Sequence, residues 1–203
     1  MIEIKNISKK MGNKQLYQNF SIDIPDQSFV VITGESGCGK TTLLNMIGGI
    51  ETIDSGDIWI NGKSVKSYSK RYLFRDEIGF LFQNFALVEY KTVKQNLSMV
   101  LDKSEANLSI KEVLKRVGLE GFGFENKKVY QLSGGEQQRV ALARLMLKKC
   151  NVILADEPTG SLDEKNSALV MELLHSLNEQ GKTIIMVTHN RKYVEEATMV
   201  INL

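Results

Sequence analysis

The stretch GESGCGKT, from Gly34 to Thr41, has the spacing G-x-x-x-x-G-K-T, and that spacing suits the holding of a chain of phosphates. Glycines let successive backbone N–H groups converge on phosphate oxygens. A helix starting at the end of such a loop turns its positive dipole end toward the same anion. Lys40 can reach β- and γ-phosphates, and the Thr41 hydroxyl can ligate Mg2+. The expected nucleotide-binding set is Gly34, Glu35, Ser36, Gly37, Cys38, Gly39, Lys40, Thr41 and Thr42. A plain glycine turn between a strand and a helix uses similar residues, but the full motif between an apolar run and a helical pattern favours phosphate binding.

Two further stretches carry candidate chemistry. VILADE ends in the paired carboxylates Asp156 and Glu157, and a strand running into them places both at the carboxyl edge of a sheet, where open α/β sheets bind ligands. Asp156 suits Mg2+ coordination, directly or through water. Glu157 suits the general base for an attacking water. TIIMVTH ends in His189, just past another apolar run. A strand there in the same sheet brings His189 to the edge that holds Asp156, within reach of a γ-phosphate. A third stretch, QLSGGEQQR, sets Ser133, Gly134 and Gly135 at the mouth of a helix. This is a second arrangement able to hold an anion, and the chain already has one.

The elements that must position these residues follow from hydrophobic periodicity. MIEIKNIS and FSIDI alternate apolar with polar, as half-buried antiparallel strands do, whereas FVVIT is a continuous apolar run that suits a buried strand. KTTLLNMIGGI reads as an amphipathic helix, and SGDIWING as a strand closed by an Asn-Gly turn with Trp59 half-buried in it. Between about Gln83 and Gln131 the spacing becomes helical, in TVKQNLSMVL and in SIKEVLKRVGL, which stops at Gly118. VILADE and TIIMVTH are expected as buried strands flanking a helix that ends at Gly181. Buried strands alternating with helices predict a parallel α/β sheet with a helical insertion. His175 falls inside the amphipathic helix and receives no role.

Composition bounds the reading. The 203 residues allow one sizeable core, and 42% hydrophobic with 25% charged residues is ordinary globular composition. A net charge of +2 is weak for a nucleic-acid partner, so none is expected; the basic run KSVKSYSKRYLFR reads as a solvated face. No apolar stretch approaches ~20 residues, the length that spans a bilayer, and MIEIKNISKK lacks a signal peptide's apolar run. Cys38 and Cys150 are read as free thiols in a reducing cytoplasm.

Taken in order, these motifs resemble the nucleotide-binding subunits of ABC transporters over nearly the whole chain. GESGCGKT matches the Walker A loop, Gln83 in FLFQN the Q-loop and LSGGEQQR the ABC signature. VILADE matches Walker B, Ser161 to Asp163 the D-loop and His189 the H-loop. The resemblance implies a single α/β domain over 1–203: a P-loop NTPase RecA-like core, an antiparallel β subdomain, and an inserted helical subdomain at about 84–132. It implies ATP and Mg2+ as cofactors, and ATP hydrolysis as the activity. Catalytic residues would be Glu157, His189 and Gln83, with Mg2+ at Thr41, Gln83 and Asp156; Gln83 would also sense the membrane partner. Ser133, Gly134, Gly135 and Gln137 would close over the γ-phosphate of ATP held by a second copy, and Asp163 would contact that copy. Two copies head to tail then make two complete sites. A separate permease would hold the subunit on the inner face of the cell membrane.

The Q-loop region is similar to macrolide-efflux and lipoprotein-release ATPases and to bacteriocin-export ATPases, which implies an efflux or antimicrobial-peptide export role. Two departures stand out. Met11 lies where the family places an aromatic residue under adenine, and Tyr17, the nearest aromatic, is out of register; weaker or less selective adenine binding is expected. The chain also ends at TMVINL, where many relatives continue, so a minimal subunit is expected. Two competing classes remain: a soluble ABC ATPase acting on DNA or ribosomes, which would carry two cassettes or long coiled-coil insertions, and a cassette that grips ATP without cleaving it. The presence of both Glu157 and His189 argues against the second.

Overall fold

The computed structural model describes residues 1–82, 84–101, 109–160 and 162–203. Apolar residues at every second place build the first strands. β1 (Ile2–Met11) buries Ile2 and Ile4, and a bulge at Asn6, whose φ is 50°, resets the period so that Ile7 also faces inward. β1 pairs with β2 (Lys14–Ile24), and β3 (Phe29–Thr33) follows with no polar face. After α1 (Lys40–Ile47), β4 (Ser55–Ile60) turns into β5 (Lys63–Ser64) through Asn61 and Gly62, at φ 52° and 75°. Those angles are what a two-residue hairpin turn needs, and Asn-Gly adopts them readily.

The chain continues through α2 (Lys70–Tyr72), whose π-helical extension Leu73–Glu77 leads into β6 (Ile78–Leu81). Two short helices follow, α3 (Val93–Ser98) and α4 (Ile110–Arg116), each closed by a reciprocal capping box, Thr92 with Gln95 and Ser109 with Glu112. α3 stops at Ser98, short of the helical pattern that runs on to Leu101. The Ser98 hydroxyl donates to the Lys94 carbonyl at 2.7 Å, a bond that competes with regular helix. α5 (Gly134–Leu147), β7 (Val152–Asp156), α6 (Glu164–Glu179), β8 (Thr183–Val187), α7 (Arg191–Glu195) and β9 (Met199–Asn202) complete the order.

The strands form a four-stranded antiparallel sheet, β2-β1-β4-β5, and a five-stranded parallel sheet, β6-β7-β8-β3-β9. Parallel strands buried on both faces read as continuous apolar runs, and alternate residues then feed two cores. Phe29, Val31, Ile153, Ala155, Ile184 and Met186 pack with residues of α3, α4, α5 and α6. Their neighbours Val30, Ile32, Val152, Leu154, Ile185 and Val187 pack with α1 and with β1 and β4 of the antiparallel sheet. Trp59 is half-buried in β4. His175 stacks on Phe29 at 4.5 Å between ring centres and lies 3.1 Å from Glu196, which gives it a packing role. Among the described residues no helix is long and apolar enough to cross a membrane.

Candidate nucleotide site

The sheet register assembles the site. β8 lies between β7 and β3, and in this row Val187 sits opposite both Asp156 and Ile32. The pairing continues past the strand ends, with the Glu157 N–H donating to the Val187 carbonyl at 3.0 Å and the Thr188 N–H to the Ile32 carbonyl at 3.4 Å. Hence the loop after β3, the carboxylates at the end of β7 and His189 after β8 emerge side by side at one carboxyl edge. Lys14, Leu16, Met11, Ser36, Gly37, Gly39–Thr42, Glu157, Val187 and His189 enclose a cavity there of about 450 Å3. A larger cavity, of about 580 Å3, is lined by residues of 70–76, 99–101 and 147–149. Of the described candidate catalytic residues, neither Glu157 nor His189 lines it, whereas both line the smaller cavity.

The phosphate loop is tied down from two sides. The Lys40 side chain is buried, and its Nζ donates to the carbonyls of Gly34 and Glu35 at 3.0 and 2.7 Å, folding the ammonium into the loop. From β2, Lys14 Nζ donates to the Gly37 carbonyl at 2.8 Å. Beneath the loop, the buried Tyr17 donates its hydroxyl to the Gly39 carbonyl at 2.9 Å. Burial pushes the Tyr17 phenol up, so it stays a donor. Gly39 caps α1 at φ 110° and ψ 11°, and a Cβ there would stand 3.0 Å from the Tyr17 oxygen. Backbone in this region favours glycine. Tyr17 is therefore a support for the loop, outside the cavity lining, as its register implies. Met11 stands at the cavity mouth, 50% exposed.

At the carboxylates, Thr41 Oγ1 donates to Asp156 Oδ1 at 3.1 Å, joining the first motif to the second. Burial raises the Asp156 carboxyl above the usual range, with the Thr41 bond and the Lys40 charge opposing it. Glu157 sits one residue beyond β7 at φ 46°, unusual for a residue with a side chain. Its Oε1 lies 3.3 Å from His189 Nε2, yet without hydrogen-bond alignment, and the atom is enclosed with no other polar partner. Burial is the largest influence on Glu157 and raises its carboxyl. The neighbouring Asp156 pushes the same way, against His189 and Lys40. A carboxylate held above its ordinary range is better matched to taking a proton near neutral pH. Cys38 is a half-buried free thiol in the loop; Cys150 is a buried free one.

The remaining candidates form a second cluster. Ser133 caps α5 with a reciprocal box: its hydroxyl accepts from the Glu136 N–H at 3.3 Å, and its own N–H donates to Glu136 Oε2 at 2.8 Å. Gly134 and Gly135 open the first helical turn, whose N–H groups have no intrahelical acceptor. A Cβ on Gly134 would meet open space, and one on Gly135 would touch the Asn166 amide at 3.3 Å. Gln137 Nε2 donates to the Leu132 carbonyl at 3.1 Å. Asp163 caps α6, taking the Asn166 N–H at 2.8 Å and Asn166 Nδ2 at 2.6 Å. Those bonds hold the Asp163 carboxyl below its usual range. None of Ser133, Gly134, Gly135 or Asp163 lines the phosphate-loop cavity. Gln83 and Ser161 lie outside the described residues. Sequence reasoning overlooked Tyr17 and Lys14 as loop supports. Alternation counted back from Ile24, Ile22 and Phe20 would turn Tyr17 outward; a register shift at Asn19, whose φ is 52°, brings it inward, so periodicity gave no signal for it.

The ABC transporter family model matches residues 17–160. The uncharacterized ABC transporter ATP-binding protein MJ1508 of Methanocaldococcus jannaschii is 41% identical across 100% of this chain and 95% of its own length. The macrolide export ATP-binding/permease protein MacB of Campylobacter jejuni is 40% identical across the whole chain, which spans 33% of that relative. Among solved structures, the dimeric post-hydrolysis state of the ATP-binding cassette MJ0796 bound to ADP and Pi superposes with a TM-score of 0.85 at 37% identity, covering 100% of this chain and 94% of that one. MJ0796 is also from M. jannaschii. The parallel sheet, the added antiparallel sheet and the phosphate loop are thus those of a P-loop NTPase with a RecA-like core, and the chain belongs to the ABC transporter family as an ATP-binding subunit and ATPase.

Proposed function

We propose that the chain hydrolyses MgATP in sites shared between two head-to-tail copies and drives a separate membrane permease. The observation that carries this reading is the contact of Thr41 with Asp156, at the wall of a cavity that Thr41, Glu157 and His189 line and the Ser133–Gly135 turn does not. Gly34 to Thr42 hold the phosphates and Lys40 swings from the loop carbonyls to the β- and γ-oxygens. Glu157 takes the proton of the attacking water, and His189 contacts the γ-phosphate. Thr41 and Asp156 fit Mg2+: adjacent oxygens of an octahedral magnesium lie about 3 Å apart, and these two stand at 3.1 Å. The ion would neutralise charge on the phosphates, with Gln83 as a further ligand. The missing wall over the γ-phosphate comes from the other copy's signature turn, with Asp163 at the same interface.

The dimeric MJ0796 cassette supports association of two copies, and MacB, an ATP-binding domain joined to a permease, supports a membrane partner. Its macrolide-export role supports the efflux reading, with the subunit peripheral on the inner face of the membrane through its permease. Transporter components among the relatives favour this over a soluble ATPase acting on DNA or ribosomes. The test is Glu157→Gln, which should bind ATP, form a dimer measurable by light scattering and turn over little. Wild-type turnover per subunit should rise with protein concentration. A concentration-independent rate from a demonstrated monomer refutes the shared site.

A further inference from the structure

The tail of QLSGGEQQR has contacts that anion binding does not use. Gln138, 2% exposed, donates from Nε2 to the Pro158 carbonyl, one residue beyond Glu157. Arg139 donates from Nη1 to Asn166 Oδ1, and Asn166 in turn holds both oxygens of Asp163. The Arg139 Nε is enclosed without a partner, so Asn166 anchors that guanidinium. A Cβ on Gly135 would meet the same Asn166 amide at 3.3 Å. One helical stretch therefore carries the turn that opens α5 and grips the chain at two points downstream of the carboxylates.

We propose that Gln138 and Arg139 are positioning residues that transmit engagement of the Ser133–Gly135 turn by a second copy to Glu157 and Asp163 of their own chain. The inference rests on the shared-site reading above. A helix moves as a rigid piece over its first turns, and Gln138 lies within about one turn of Gly134. Displacing the turn therefore displaces the Pro158 carbonyl. The Glu157 carbonyl is bonded to the Gly160 N–H at 3.1 Å and its N–H to Val187, so the peptide that aims the base is caught between β8 and α5. Completion of the partner's site and alignment of the chain's own base then become one event.

The experiment compares Gln138→Met and Arg139→Met with wild type in the full chain. Four quantities are read: thermal midpoint, MgATP affinity of the monomer, ATP-driven dimerisation in a Glu157→Gln background, and turnover of the dimer. Transmission leaves affinity and dimerisation unchanged and lowers turnover about tenfold to hundredfold, the scale of a misplaced reacting group. Arg139→Lys, which keeps a cationic donor, recovers most of it. Wild-type turnover in both Met variants overturns the proposal. So does a parallel fall of midpoint, affinity and turnover, which marks plain support of the fold, and so does loss of dimerisation, which places the pair in the interface itself. If the parent Glu157→Gln chain does not dimerise with ATP, it is the shared-site reading that fails, a separate result.

Discussion

Adding one methyl group at Gly39 tests whether the phosphate loop is set by the strand beneath it. Gly39→Ala places a Cβ 3.0 Å from the Tyr17 oxygen and 3.1 and 3.3 Å from two ring carbons, at a φ of 110°. A side chain in so sparse a region costs about 1–3 kcal/mol. Displacing the tyrosine forfeits its bond to the Gly39 carbonyl, about 1 kcal/mol more. The sum, roughly 2–4 kcal/mol, lowers the melting temperature of a domain this size by roughly 4–16 °C. Gly118→Ala is the control. Its φ is 67° but its Cβ meets nothing within 4 Å, so backbone strain alone applies, about 1–2 kcal/mol. Thermal melts and ATP titration of both variants make the comparison. Tyr17→Phe in the Gly39→Ala background removes the oxygen contact and leaves the ring contacts, so it should restore part of the loss. A Gly39→Ala chain that melts like wild type and binds ATP as tightly refutes the claim that Tyr17 sets the loop.

Lys40→Ala should lose most nucleotide affinity by calorimetry; unchanged binding would sink the phosphate-loop reading. Cys38, half-buried within that loop, should react with a maleimide and lose activity, and ATP should protect it. Inhibition that persists in Cys38→Ala would assign the effect elsewhere. Met11→Tyr supplies a stacking face at the cavity mouth. At about 1 kcal/mol, the low end for a base on an aromatic ring, it should tighten ATP about fivefold, read as a lower KM. No change in KM would show that the base does not lie against Met11.

The sequence made the edge of the parallel sheet legible because three apolar runs each lead to a candidate site residue: FVVIT before Gly34, VILAD at Asp156 and TIIMV before His189. Buried strands announce themselves by composition, and their common edge follows from parallel topology. Contacts between elements distant in the chain were not legible. Nothing local in KQLYQNF says that Tyr17 will meet Gly39, 22 residues away. Likewise, nothing in EQQR says that Gln138 will find a carbonyl beside Glu157. The C-terminal end of α3 was misjudged for a local reason, since Ser98 turns its hydroxyl back on the helix.

Asp156 and Glu157 are neighbours in sequence but suited to different tasks, and the backbone is what separates them. Asp156 is the last residue of β7, and strand geometry points its carboxylate toward α1, where Thr41 bonds it. Continued as strand, Glu157 would turn its side chain to the opposite face of the sheet, because successive residues alternate. The left-handed φ of 46° breaks that alternation and leaves Oε1 beside His189 at the same cavity. The strain is held by the Glu157 N–H on Val187 and by the turn that returns Gly160 to its carbonyl. Both carboxyls are raised by burial, but Thr41 offsets part of this for Asp156 through a direct hydrogen bond, which suits an oxygen ligand. Glu157 keeps an oxygen without an aligned donor, free to accept a proton. One unusual dihedral thus gives two adjacent carboxylates different surroundings, which is what the proposed roles of ligand and base require.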